Sequence, residues 1–160
     1  MPDIKIRRAG KNDLAAIGQL GASLVAEHHA FDAQRFLAPL PDIEQRYAEF
    51  IGRQLDKTDV VVLVAERDGS VLGYTYAGLE GPDFMALRGP AGAIYDIIVD
   101  ERARRQGVAS ALLEAAFAAL SAKGAPRVVL STAQKNGSAQ SLFERAGFRR
   151  TMIEMTRELD

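Results

Sequence analysis

Hydrophobic positions recur along this chain at two spacings, one of about 3.6 residues and one of two residues. The longer spacing predicts four helices, at Leu14–Val25, Ile43–Ile51, Val108–Leu120 and Ser138–Arg145. Alternation or a β-branched run predicts six strands, at Ile4–Arg7, Val60–Glu66, Val71–Leu79, Ala93–Val99, Arg127–Thr132 and Phe148–Glu158. The predicted order is therefore strand, two helices, three strands, helix, strand, helix, strand.

Turn and loop signals separate these elements. Gly10–Asp13 offers a turn and a helix N-cap, and Asp68-Gly69 is a hairpin signal between two predicted strands. Two stretches, His28–Pro41 and Gly81–Gly92, contain prolines and lack a clear period, so they are interpreted as loops.

This order of elements predicts a mixed α/β sheet within one domain that spans residues 1–160. The strand–helix–strand unit from Ala93 to Thr132 should be parallel and right-handed. Apolar residues make up 48% of the chain and charged residues 26%, a balance typical of a folded, soluble protein.

Charge and cysteine content exclude several classes of function. The formal net charge is -1, from 20 basic and 21 acidic side chains, so no general attraction to nucleic acid or to an anionic membrane is expected. The chain has no cysteine, which excludes disulfides, thiolate zinc sites and a cysteine nucleophile. Met1–Lys5 lacks an apolar signal core, and the aliphatic run Val60–Ala65 is too short to span a bilayer. A cytoplasmic location is expected.

The turn Arg104–Ala109 carries the clearest chemical signal, because a buried strand ends there and a helix begins. The first N–H groups of a helix have no partner within it and lie at the positive end of its dipole. Gly107 lets a ligand approach the backbone, and Arg102, Arg104 and Arg105 add positive charge. The turn therefore suits a phosphate-bearing anion, with a solvated turn as the alternative. The glycine spacings of a P-loop and of a dinucleotide fingerprint are both missing.

Two motifs together point to a known family. Arg104-x-x-Gly107-x-Ala109 follows a predicted strand and opens a predicted helix, and it resembles the Arg/Gln-x-x-Gly-x-Gly/Ala signature of the GNAT N-acetyltransferase superfamily. Asn136, Ala139 and Leu142–Phe148 resemble the Asn…Leu-Tyr-Glu-x-x-Gly-Phe segment of the same family. The resemblance covers essentially the whole chain and is strongest from Ile94 to Phe148.

The resemblance implies a three-layer fold with a mostly antiparallel central sheet and about four flanking helices. Within the sheet, Ala93–Val99 and Arg127–Thr132 would be a parallel, splayed pair that holds pantetheine. Acetyl-CoA would be the cosubstrate, with no metal. Many relatives are dimers, so a homodimer is possible. The implied cofactor-binding residues are Ile97, Ile98, Val99, Arg104, Arg105, Gln106, Gly107, Val108, Ala109, Ser110, Asn136 and Phe143.

The resemblance also frames the chemistry of acyl transfer to an amine. A base must remove a proton from the amine, and Asp96 is the favoured candidate, with Tyr95 orienting substrate or joining a water chain. The alternative for Asp96 is a carboxylate satisfied by backbone or by an arginine. Family members often carry a Tyr as proton donor where this chain has Phe143, so Ser138, another hydroxyl or water would substitute, or the thiolate would leave unassisted.

Candidates for binding the acceptor are His28, His29, Tyr76 and Glu80. The simpler interpretation is solvated helix ends for the histidines and cross-strand packing for the hairpin aromatics. Adjacent histidines do not project together from a helix, so no metal site is expected. The acceptor could be a small-molecule or peptide amine. Two other classes stay open: a non-catalytic acyl-CoA-binding or regulatory module, and, remotely, another enzyme with a phosphate-bearing ligand.

Overall fold

The computed structural model describes residues 3–160, which form five strands and four α-helices. Two 3-10 turns, Lys11–Asp13 and Glu101–Ala103, precede α1 and α3. In chain order the elements are β1 (Lys5–Arg8), α1 (Leu14–Phe31), α2 (Ile43–Gly52), β2 (Val60–Arg67), β3 (Ser70–Glu80), β4 (Ala91–Val99), α3 (Val108–Ala122), β5 (Val128–Leu130) and α4 (Gly137–Arg145).

The strands form one mixed sheet in the order β1-β2-β3-β4-β5. The pairs from β1 to β4 are antiparallel, and β4 pairs with β5 in parallel. This architecture confirms the predicted α/β class, including the parallel strand pair joined by α3.

Each face of the sheet packs on helices through its own apolar cluster. On one face, α3 contributes Leu112, Leu113 and Leu120, which are fully buried against alternate residues of β2 to β4. On the other face, Ile17 of α1 and Ile51 of α2 are fully buried. The helical and two-residue periods of the sequence thus decide which side chains meet, and three layers result.

Two irregularities in β4 shape the region around it. The register shifts between Tyr76↔Asp96 and Ala77↔Ile94, so Tyr95 is an extra, bulged residue. The pairing of β4 with β5 covers only three residues and ends at Ile94↔Leu130. Bulges re-aim neighbouring side chains. Beyond Ile94 the outer edge of β4 has no strand beside it in the described chain.

One predicted strand is absent, and the predicted bounds of two other segments are wrong. The predicted final strand, Phe148–Glu158, is absent, because no neighbouring strand hydrogen-bonds to these residues. The predicted strand Arg127–Thr132 shortens to β5, since only three residues find partners on β4. The predicted loop from His28 instead begins after Phe31, because α1 continues through both histidines.

Asp13 closes the turn before α1 rather than capping the helix with its side chain. Its two carboxylate oxygens accept hydrogen bonds from Arg7 Nη1 and Nη2 at 2.8 and 2.9 Å, and Oδ2 also accepts from Gly10 N–H at 2.7 Å. The guanidinium of Arg7 lowers the pKa of Asp13 below its usual value, with a further contribution from the Gly10 N–H. The ionised carboxylate therefore stabilises the fold.

We expect Asp13→Asn to lower the free energy of unfolding at neutral pH by about 1.5–3 kcal/mol, the value of a hydrogen bond to a charged group. Because the folded-state pKa is lowered, the stabilisation exists above the ordinary Asp pKa and disappears as pH falls through the lowered value. Urea denaturation across pH should show the wild type and the variant converging in acid. Asp56→Asn, at an exposed position, is the control. A difference in unfolding free energy between wild type and Asp13→Asn that does not change with pH would contradict the account.

Candidate active site

A groove of about 1110 Å³ opens where β4 and β5 part. Its walls are the second half of β4, the residues that follow β5, the turn before α3, α4 from its N-cap to Arg145, and the end of α1 with residues 35–37 after it. Eleven of the twelve predicted cofactor-binding residues line it, and Gln106 does not: the eleven are Ile97, Ile98, Val99, Arg104, Arg105, Gly107, Val108, Ala109, Ser110, Asn136 and Phe143.

The turn before α3 presents backbone N–H groups to this groove. Arg105 and Gly107 both have left-handed backbone conformations, with φ of 60° and 82°. The first hydrogen bond that spans the helix start runs from Ala111 N–H to Gly107 O at 3.0 Å. N–H groups of the preceding first turn therefore lie outside the helical ladder, where an anion can accept from them. A Cβ at Gly107 would meet no atom within 4 Å, so the space before it is open.

Some side chains of the turn hydrogen-bond within the protein, and another faces the groove. Arg104 Nε donates to Val99 O at 3.2 Å, and its Nη1 lies 3.5 Å from Glu27 Oε1. Gln106 Nε2 donates to Arg102 O at 3.1 Å, and its Oε1 accepts from Arg67 at 2.8 Å. These two side chains brace the turn. Arg105 lines the groove as an exposed cation.

Arg145 of α4 also lines the groove, and the sequence did not single it out. Its only local signal was a basic residue in the last turn of a short helix, which is common for helices in general. Four arginines therefore line the groove: Arg35, which follows α1, Arg104 and Arg105 of the turn before α3, and Arg145 of α4.

Asp96 lies at the junction of the groove and a second pocket, since it lines both. Its Oδ2 accepts hydrogen bonds from Tyr74 Oη at 2.9 Å and from Tyr47 Oη. Burial raises the pKa of the Asp96 carboxyl above its usual value, and the two tyrosine hydroxyls oppose that rise. The partners are therefore tyrosine hydroxyls, not the backbone or arginine groups considered as the alternative.

The second pocket, of about 510 Å³, is largely aromatic. Tyr76 lies between Tyr95 and Phe50, with ring centroids 4.9 and 5.9 Å away. Tyr95 Oη donates to Glu80 Oε2 at 3.3 Å, and Glu80 also pairs with Arg88 at 3.0 Å. The lining residues are Ile43, Arg46, Tyr47, Phe50, Tyr76, Tyr95 and Asp96. The aromatic pocket and the groove meet at Tyr95 and Asp96, which line both.

Tyr47 is a second functional candidate that the sequence did not single out. Tyr47 lies on α2, where it belongs to the apolar stripe of the helix. The helical spacing alone therefore predicts an ordinary core residue. Its bond to Asp96 joins residues 49 positions apart, and burial together with the charge of Asp96 raises the pKa of the Tyr47 hydroxyl far above its usual range. The hydroxyl therefore stays protonated and acts as a donor.

The last helix and its N-cap supply three predicted residues to the groove wall, Asn136, Ser138 and Phe143. Asn136 Oδ1 accepts from Ala139 N–H at 3.1 Å and caps α4. Phe143 is buried, with only 7% of its surface exposed. It packs against Phe148 with ring centroids 5.9 Å apart. A phenyl ring at this place has no proton to donate.

The predicted acceptor residues do not form one cluster. His28 lines the groove, where its Nδ1 lies 2.8 Å from Leu24 O. Tyr76 lines the aromatic pocket, and Glu80 contacts that pocket only through Tyr95. His29 lies 3.1 Å from Phe36 O and lines neither cavity. Within residues 3–160 no three His, Asp or Glu side chains are placed to share a metal ion.

None of the helices in the described part of the chain is both long and apolar enough to cross a bilayer.

Comparison with known proteins agrees with this geometry. The model of the acetyltransferase (GNAT) family matches residues 25–148. A mycothiol acetyltransferase of Cellulomonas flavigena is 37% identical over 97 residues, which cover 58% of this chain and 28% of that protein. The chain thus spans less than a third of that relative. An N-acetyltransferase of Bacillus subtilis, described as uncharacterized, is 30% identical over 148 residues, covering 91% of this chain and 89% of that protein.

Solved structures share the fold at lower identity. A transcriptional regulator from Bacillus halodurans superposes with a TM-score of 0.76 at 20% identity, covering 98% of this chain and 100% of that one. An aminoglycoside acetyltransferase from an uncultured soil metagenomic sample superposes with a TM-score of 0.66 at 21% identity, covering 98% and 97%. With a family model that matches most of its length, the chain belongs to the acetyltransferase (GNAT) family.

Proposed function

We propose that this protein transfers an acetyl group from acetyl-CoA directly to a primary amine. The observation that carries the proposal is the continuous groove from the N-terminus of α3 to Asp96, where it meets the aromatic pocket. An extended cofactor and an amine entering from opposite sides would then meet at one carboxylate. GNAT acetyltransferases use acetyl-CoA as their cosubstrate, which fits the phosphate-binding character of the turn Arg104–Ala109.

In this proposal the backbone N–H groups of Arg104–Ala109 bind the CoA pyrophosphate. Pantetheine lies along Ile97–Val99 like an added strand, because that edge of β4 lacks β5 as a neighbour. Asn136 hydrogen-bonds the pantetheine arm from the start of α4. The N–H of Ile97 or Ile98 polarises the thioester carbonyl, and a preorganised donor of this kind contributes ~3 kcal/mol in the transition state.

Asp96 is proposed as the base. Its carboxylate accepts a proton from the ammonium form of the acceptor, and the amine nitrogen then attacks the thioester carbonyl. The C–S bond then breaks, and the second proton of the nitrogen passes to the departing thiolate through water or the Ser138 hydroxyl, or it goes to solvent while the thiolate leaves unassisted. Tyr95 orients the acceptor with Tyr76, and His28 contacts substrate from the groove. His29 and Glu80 stay predictions as acceptor-binding residues.

Tyr47→Phe should shift the pH profile of turnover toward alkaline pH. Removing the hydroxyl removes a hydrogen bond that lowers the pKa of Asp96, so that pKa rises further. Because the base works only when ionised, activity should be lost at a higher pH than in the wild type. Steady-state rates across pH check this, with Phe50→Leu as a control in the same pocket that does not contact Asp96. An unshifted acid limb in Tyr47→Phe would contradict the proposed base.

Release of free CoA thiol across a panel of amines tests the proposed function. The panel should contain an aminoglycoside, a polyamine, an amino acid and a peptide N-terminus, and at least one should release thiol above the rate without amine. Thermal shift measures binding, since a ligand at ~100 times its dissociation constant adds ~2.7 kcal/mol to the free energy of unfolding. No shift with acetyl-CoA or CoA, beside ATP and NAD as controls, would refute the cofactor assignment.

A non-catalytic acyl-CoA-binding or regulatory module is the second candidate. Phe143 favours it, because the usual proton donor is missing, and one structural neighbour is described as a transcriptional regulator. Such a module would bind acetyl-CoA in the thermal-shift experiment and release no thiol with any amine.

Three further expectations belong with this proposal. The whole chain, residues 1–160, is proposed as a single acetyltransferase domain that takes a small-molecule or peptide amine. A cytoplasmic location stays a prediction. A homodimer also stays a prediction from the family resemblance.

A further inference from the structure

The aromatic pocket beside Asp96 carries apolar surface that nothing in the chain covers. Phe50, Tyr76 and Tyr95 line it with their rings, and Phe50 and Tyr95 are 44% and 47% exposed. Aromatic side chains exposed in a concave site are typical of a ligand site, because a bound apolar group removes both surfaces from water. The pocket therefore favours a molecule that has apolar surface to bury.

The hydroxyl groups of two of these rings are already paired within the protein. Tyr76 Oη donates to Gln54 Oε1 at 3.4 Å, and Tyr95 Oη donates to Glu80 Oε2 at 3.3 Å. A polyhydroxylated molecule placed against these rings would lose its hydration shell without gaining matching hydrogen bonds. Burying polar groups in that way weakens binding, so the pocket disfavours sugar-like acceptors.

Asp96 supplies a carboxylate to the wall of this pocket, and one of its oxygens is available to a ligand. Oδ2 accepts from Tyr47 and Tyr74, whereas no group within residues 3–160 donates to Oδ1. Oδ1 is not among the fully buried side-chain atoms that lack a partner, so it reaches a cavity surface. An ammonium group can therefore donate to Oδ1 while its apolar substituent lies against the rings.

Other charges around the pocket are balanced within the protein. The cation that lines it, Arg46, is paired with Asp42 at 2.7 Å. Glu80, the partner of Tyr95, is paired with Arg88 at 3.0 Å. A second ammonium or a carboxylate on the acceptor would therefore be desolvated for little electrostatic gain. A single ammonium gains from the carboxylate of the site and from the faces of the aromatic rings.

We propose that the acceptor is a primary monoamine with an apolar body, such as an aromatic ring on a short alkyl chain. This inference rests on the proposed acetyl transfer and names the class of amine that receives the acetyl group. The ammonium donates to Asp96 Oδ1 before it loses a proton. The apolar body lies against Phe50, Tyr76 and Tyr95. Polyhydroxylated amines, aminoglycosides among them, and polyamines are poor acceptors.

Two matched pairs of amines test the substrate class by release of CoA thiol. Phenethylamine and glucosamine each have one primary amine and one ring, but the ring of glucosamine carries hydroxyl groups. Pentylamine and cadaverine share one alkyl chain and differ by a second ammonium. In each pair the apolar monoamine should have a kcat/KM at least ~10-fold higher, because its partner leaves polar or charged groups without partners in the pocket.

Phe50→Ala tests whether the aromatic pocket holds the apolar body. The Phe50 ring is partly exposed on α2 and packs edge-on to Tyr76. The variant should raise KM for phenethylamine by ~5-fold or more with little change in kcat, because the ring would bind the body equally in the ground and transition states. Phe84→Ala removes an exposed ring that lines neither cavity and should keep the wild-type KM. Thermal unfolding checks that both variants are folded.

Two results would overturn the substrate class and leave acetyl transfer intact. One is thiol release with glucosamine or cadaverine that equals or exceeds release with the apolar amine of the pair. The other is an unchanged KM in folded Phe50→Ala, which would place the acceptor elsewhere, for example at the end of the groove beside His28. If acetyl-CoA raises the Tm of the wild type but no amine releases thiol, the proposed acetyl transfer fails, and the substrate class fails with it.

Discussion

Asp96→Asn should lower turnover with amine by ~10²-fold or more while acetyl-CoA binding stays unchanged. The substitution keeps an oxygen that can accept from Tyr47 and Tyr74, but it removes the group that can take a proton. Wild-type turnover should fall as pH drops through the raised pKa of Asp96, because the protonated carboxyl is no base. The variant should lose that acid limb.

The same substitution should not cost stability at neutral pH. Since burial raises the pKa of Asp96 in the fold, the folded state holds its proton at pH values where the unfolded chain has lost it. Wild-type stability therefore falls as pH rises from the ordinary Asp value through the raised one, and Asp96→Asn lacks this slope. Thermal unfolding at neutral pH should show an equal or higher Tm. Full turnover at every pH would remove Asp96 from the mechanism.

Gly107→Leu should weaken acetyl-CoA binding by about 10–10²-fold, which corresponds to one lost hydrogen bond to a charged group. The new side chain would start in the open space where the pyrophosphate is proposed to approach the turn. It would also strain the backbone, because φ at this position is 82°. Isothermal titration with acetyl-CoA measures the loss.

Gly124→Leu is the matched control for that loss. Gly124 has φ of 92° and equally open surroundings, but it lies beyond the other end of α3, about 22 Å away along the helix. Both variants should therefore lose similar stability, and only Gly107→Leu should lose affinity. Equal affinity in the two proteins would move the cofactor away from the turn Arg104–Ala109.

The local pattern of apolar and polar residues was enough to predict those elements whose structure depends mainly on their own sequence. The β-branched run of β2 and the alanine- and leucine-rich α3 bury what their periods predict. The turn from Arg104 to Ala109 was predictable for the same reason, because strand, glycine and helix follow one another directly. The conformation at Arg105, with φ of 60°, was not, since arginine rarely adopts it.

Contacts between distant segments explain what the sequence did not predict. Tyr47 and Tyr74 reach Asp96 from 49 and 22 positions away, and no local period reveals that they share one oxygen. The bulge at Tyr95 depends on the register with β3. The predicted strand Phe148–Glu158 had the right alternation, but a strand forms only beside a neighbour, and within residues 3–160 of one chain it has none.

The central claim is that the turn Arg104–Ala109 binds the pyrophosphate of acetyl-CoA. Titration of acetyl-CoA and of S-acetylpantetheine, which lacks the pyrophosphate, tests it most directly in the wild type and in Gly107→Leu. The wild type should prefer acetyl-CoA by at least ~10²-fold, as loss of charge-assisted hydrogen bonds implies, and the variant should lose most of that preference. The same preference in both proteins would contradict the claim.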